Sequence, residues 1–260
     1  MTTFQKCVKY LAIALAIFLI VSIFGGIFGA IGLFSGNNVL KEVKTYTLSD
    51  NISDLNIEIS AAKLEIKRGD SFALESNLKD LTVKEKDGKL IIEHKKKGSY
   101  DNAMLVFYVP DGTVFGKASI NTDAGIVSID KLEADTMELE FGAGEVNIGT
   151  LTANKSADID GGTGKITISG GTLKNLEIDM GVGQLNLTSA IIGRGEFELG
   201  VGETNITLIG HKNEYTVKVE KGVGSVTVDG KSGSISYGSG INNIDIEGGV
   251  GSVSVIFKEN

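Results

Sequence analysis

The feature that most constrains this chain is a glycine that returns about every 20 residues. After Gly125, Gly144, Gly164, Gly183, Gly202, Gly224 and Gly251 the chain reads IVSI, EVNI, KITI, QLNL, ETNI, SVTV and SVSV, at intervals of 19, 20, 19, 19, 22 and 27 residues. A repeat of this length is one supersecondary unit too small to bury its own apolar face, so copies must stack. The second and fourth residues of each unit are apolar throughout, Val127/Ile129 to Val253/Val255, with Thr204 the one exception. The third is always small and polar: Ser128, Asn147, Thr167, Asn186, Asn205, Thr227, Ser254. Alternation of period two sends these sets to opposite faces of a strand.

A second alternating segment precedes each glycine. Met137, Leu139 and Phe141 alternate with Glu138 and Glu140, and Leu176, Ile178 and Met180 with Glu177 and Asp179. The chain has 35 glycines against one proline, which fits many tight corners and excludes collagen. The pattern predicts an all-β chain whose residues 114–257 form a parallel β-solenoid, or β-helix, of two short strands per coil. About seven coils stacked at roughly 4.8 Å give a rod roughly 30 Å long.

Residues 45–113 alternate without the glycine register and predict a β-rich module capping the first coil. Asp87-Gly88, between LTVKEK and KLIIEH, is a hairpin signal. The insert 229–243 is expected to fold over the far end.

Residues 10–34 carry no charge. As a helix they span roughly 37 Å, enough for a hydrocarbon core of roughly 30 Å. This predicts an uncleaved transmembrane signal anchor, with cleavage after Gly32 as the alternative. Lys6 and Lys9 place the short segment 1–9 in the cytoplasm and, beyond a linker at 35–44, the rest outside the cell membrane. Gly25 and Gly29 form a GxxxG spacing that would let two such helices pack closely.

Composition excludes several functions. The formal charge is −8, and since residues 1–36 contribute only Lys6 and Lys9, the remainder carries −10. An acidic domain with no basic stripe is not a nucleic-acid binder. Cys7 is the one cysteine, so no intrachain disulfide forms. His94 and His211 lack neighbouring ligand residues, so neither metal nor cofactor is expected. The stretch DGGTGKITISGG resembles a phosphate loop, but Ile159 stands where its first glycine belongs and a strand follows. Lys165 also occupies the aspartate position of a calcium-binding roll. The loop reads as a corner with a solvated lysine.

The units GAGEVNI, GTGKITI, GVGQLNL and GVGSVTV resemble the putative-adhesin domains of Gram-positive bacterial surface proteins over roughly residues 45–257. The resemblance implies a membrane-anchored extracellular β-solenoid and carries no catalytic or binding residues with it. Three functions are open. In the first, the protein is not an enzyme and presents the ladder Asn147, Thr167, Asn186, Asn205, Thr227 to a protein or cell-wall glycan. In the second, it is an accessory or sensor of envelope-stress signalling, acting through a helix partner at Gly25 and Gly29. In the third, it is a polysaccharide-active β-helix enzyme using carboxylates such as Asp158, Asp160 and Asp179. Oligomeric state is left open.

Overall fold

The computed structural model describes residues 39–95, 102–220, 222–233 and 235–259. The expected membrane span at 10–34, with Gly25 and Gly29, lies outside them. Among the described residues no helix is long and apolar enough to cross a membrane. They form one connected sheet of thirteen strands. In chain order these are β1 (Val39–Thr47), β2 (Asp54–Gly69), β3 (Ala73–Leu78), β4 (Thr82–Lys86), β5 (Lys89–His94), β6 (Met104–Pro110), β7 (Phe115–Ile168) and β8 (Gly171–Ile209). After a 3₁₀ turn at Lys212–Glu214 come β9 (Tyr215–Glu220), β10 (Val223–Val228), β11 (Lys231–Ser232), β12 (Ile235–Gly238) and β13 (Asn242–Lys258).

β7 runs for 54 residues, which would be about 180 Å if straight. It winds instead. Gly144 stacks on Gly125 and Gly164 on Gly144, so one turn takes 19 or 20 residues. β8 continues the coil in parallel register, with Gly164 opposite Gly183 and Ile166 opposite Leu185. The corner glycines from Gly125 to Gly251 have φ between 139° and 154°. A Cβ at any of them would overlap the carbonyl oxygen of the residue stacked beside it. Two requirements, left-handed backbone and close approach of neighbouring coils, therefore select glycine at one point per turn.

The interior is a continuous aliphatic column. Leu55, Ile57, Leu139, Ile159, Ile178, Phe197 and Ile246 face inward from the segment before the corner, and Val127, Val146, Ile166, Leu185 and Val253 from the segment after it. A third short inward stretch, absent from the two-strand reading, follows in each coil: Leu132/Ala134, then Leu151/Ala153, then Leu173. Leu151–Ala153 lie opposite Gly171–Leu173 in parallel register.

The coils do not stack in chain order at either end. At the N-terminal end β2 lies in parallel register on β7, with Leu55 opposite Ala118 and Ala62 opposite Gly125. β5 and β6 then stack in parallel on the other side of β2, pairing Leu55 with Leu90 and Leu64 with Leu105. The segment expected as a separate cap thus continues the coil. Antiparallel strands close it: β4 on β5, β3 on β6 and β1 on β3. The hairpin expected at Asp87-Gly88 is present, with φ of 52° and 77°, the left-handed pair that a two-residue turn demands.

At the far end the chain leaves β8 and builds β9 and β10 as the outermost coil. It then returns to insert β13 between that coil and β8. Gly251 sits opposite both Gly202 and Gly224. The intervals of 22 and 27 residues mark this exchange of order. β11 and β12 close the end as antiparallel partners of β10 and β9, the expected fold-over of residues 229–243. Phe257 packs between Tyr215 and Tyr237, with ring centroids 5.9 and 5.3 Å away.

Candidate functional site

A stacked coil converts each outward sequence column into a ladder running along the rod. The segment after the corner glycine presents the expected neutral ladder. Thr167 lies opposite Asn186, Asn205 opposite Ser254, and Ser254 opposite Thr227. Ser254 thus stands between Asn205 and Thr227, a consequence of the inserted β13. Asn205 Nδ2 donates to Asn186 Oδ1 at 3.1 Å and to Glu203 Oε1 at 2.8 Å. Asn147 Nδ2 donates to Glu145 Oε1 at 3.2 Å. The buried Thr167 Oγ1 has no partner. These side chains form one hydrogen-bonding surface of hydroxyls and amides, with Lys165 opposite Gln184 beside it. Gly25 and Gly29 lie outside the described residues.

The segment before the corner presents a second ladder, of carboxylates. Asp158 pairs with Glu177 and Asp160 with Asp179. Glu196 pairs with Asp245 and Glu198 with Glu247. Glu138 and Glu140 extend the face by one coil. Lys117 bonds Glu138, Asn121 bonds Glu140 and Arg194 bonds Glu196. Sequence reasoning placed Glu138, Glu140, Glu177 and Asp179 on the outward face and named Asp158, Asp160 and Asp179 as candidate carboxylates, without joining them into one ladder. The fuller signal was an acidic-x-acidic triplet before five of the seven corners, as in ELEFGAG, EIDMGVG and EFELGVG.

Like charges stacked this closely resist ionisation. Burial, then the charges of Asp160, Asp179 and Glu138, push the Asp158 carboxyl above its ordinary value. Asp158 is the main influence raising Glu177. Asp179 is raised by burial and then by Asp160, and its buried Oδ1 has no hydrogen-bond partner. A groove of about 480 Å³ opens at the corner between Asp179, Glu198 and Glu247, floored by Gly181, Gly200, Gly248 and Gly249. Among the described residues no group of three or more His, Cys, Asp or Glu is arranged to hold a metal ion. The two histidines sit at opposite ends of the stack. His94 is buried in the N-terminal cap, and His211 pairs with Glu259 at 3.2 Å.

The fold and its ladders define a coiled β-stack protein that displays regular polar arrays along its length. The chain belongs to the Toastrack DUF4097 family, whose profile matches residues 52–250. No functionally curated protein matches it. Among solved structures it is similar to a putative adhesin from Bacteroides fragilis NCTC 9343, at 12% identity and a TM-score of 0.44, covering 85% of this chain and 100% of that one. It is also similar to a putative adhesin from Parabacteroides distasonis ATCC 8503, at 15% identity and a TM-score of 0.43, covering 84% and 96%. A putative lipid binding protein from the same Parabacteroides strain overlaps at 16% identity and a TM-score of 0.35, covering 84% and 96%. At these levels the likenesses carry no functional argument.

Proposed function

We propose that this is a non-catalytic surface protein of a Gram-positive envelope. It is held in the membrane by residues 10–34 and uses its extracellular coil to present a face to a protein or cell-wall glycan. The observation that supports this reading is the in-register ladder of Asn147, Thr167, Asn186, Asn205 and Thr227. Amides and hydroxyls on a rigid backbone suit an extended repeating partner, because each coil offers another small polar group about 4.8 Å further along. The carboxylates support the same reading. They are spread evenly along the stack, where glycoside hydrolysis would use one convergent pair.

The test is crosslinking of the full chain in intact cells, followed by identification of what is captured. Arg substitutions at Asn147, Asn186 and Asn205 together should lower capture at least tenfold (roughly 1.4 kcal/mol) while leaving the protein folded. Undiminished capture by that triple variant excludes this face. The GxxxG at Gly25 and Gly29 favours a second reading, an accessory or sensor of envelope-stress signalling that works through helix contact. In that case Gly25→Leu with Gly29→Leu abolishes the response, while the ladder variants leave it intact.

A further inference from the structure

We infer that two copies of this protein pair through β1, strand against strand and antiparallel, with Val43 on the two-fold axis. β1 ends the sheet: among the described residues it pairs only with β3. Its register on β3 slips between Val39 and Lys44, so residues 40–43 have no direct partner there. Lys41, Glu42, Lys44 and Thr45 are exposed, and Val43 is 49% exposed. A free edge of this kind is a template for another strand.

Lysines on an edge usually prevent such pairing, and here they select its geometry. In a parallel, in-register pair Lys41 would face Lys41, Glu42 would face Glu42 and Lys44 would face Lys44, every charge against its like. In an antiparallel pair centred on Val43, Glu42 of each copy faces Lys44 of the other. Lys41 then faces Thr45, Leu40 faces Tyr46, and Val43 meets Val43. Leu40 and Tyr46, half-buried in one copy, gain apolar partners across the pair. The segment VLKEVKT is thus complementary to itself under a two-fold axis, the commonest symmetry of soluble oligomers. That complementarity argues for a second copy of this chain in preference to a foreign strand. The inference stands apart from the identity of the partner proposed above.

The test uses the full chain in membranes, with Cys7→Ser to remove the native thiol. Val43→Cys should form an intermolecular disulfide under mild oxidant, because opposed residues of an antiparallel pair lie within disulfide reach. Thr45→Cys should not, since its copies would lie about 14 Å apart. Glu42→Lys or Lys44→Glu in the Val43→Cys background should each cut the crosslinked fraction severalfold. The two together should restore it, as the exchanged charges complement one another again. Circular dichroism confirms that each variant keeps its sheet. The inference is overturned if Val43→Cys stays monomeric or crosslinks to a different protein. Equal crosslinking by Thr45→Cys, or no rescue by the double exchange, also overturns it.

Discussion

At the scale of the residue, the corner glycine carries the most information. Gly183 has φ of 149°, and a Cβ there would overlap the carbonyl of Gly164. Gly183→Ala therefore combines a backbone conformation that alanine avoids with a clash against main chain, which cannot move aside as a side chain could. The expected loss is about 3 kcal/mol or more, read as a lower urea midpoint. Gly112 is the control. Its φ is 80° but nothing lies within 4 Å of its would-be Cβ, so Gly112→Ala should cost about 1–2 kcal/mol. Equal losses would mean that the stacked approach of the coils contributes nothing. The same residue explains what was hidden in the sequence. At the first coil Ala62 takes the corner position opposite Gly125 without a positive φ. The glycine signal therefore stops one turn early, and β2 reads as part of a separate module.

At the scale of the element, the strand before each corner trades stability for a charged face. The carboxyls of Asp158 and Asp179 are held above the ordinary aspartate value of 3.8. An acid raised in the folded state opposes folding when ionised. The penalty is absent below about pH 3.8, the unfolded value, and is complete once pH exceeds the raised folded value. Asp158→Asn with Asp179→Asn should therefore raise stability at pH 7, by roughly 1 kcal/mol at most after solvent screening. The gain should fade as pH drops toward 3.8, as followed by urea unfolding across that range. A gain that persists unchanged at pH 3 would point to packing as its source. The two outward ladders were legible because period two is a strong signal over four or five residues. The third inward stretch was not, because pairs such as Leu132/Ala134 and Leu151/Ala153 are too short to show a period.

At the scale of the whole molecule, what the repeat could not reveal is the order of the coils. The strand pattern of residues 223–228 and 250–255 is alike, and either could stack on Gly202. Only the pairing of Gly251 with both Gly202 and Gly224 settles which is inner. This order has a physical consequence. β9 and β10 are made before β13 but cannot reach β8 without it, so the C-terminal end closes only when the last strand is in place. Deleting residues 242–260 should then release β9 through β12 together, not merely shorten the rod by one coil. Hydrogen exchange on the truncated chain should find the amides of Tyr215–Glu220 and Val223–Val228 exchanging as in unfolded chain, while those of β2 and the first turns of β7 keep their protection. β8 would become a bare apolar edge, so the truncated protein should also self-associate at concentrations where the full chain does not. Were β9 and β10 to stay protected, they would have moved in to take the place of β13 on β8, and the last strand would not be what closes that end.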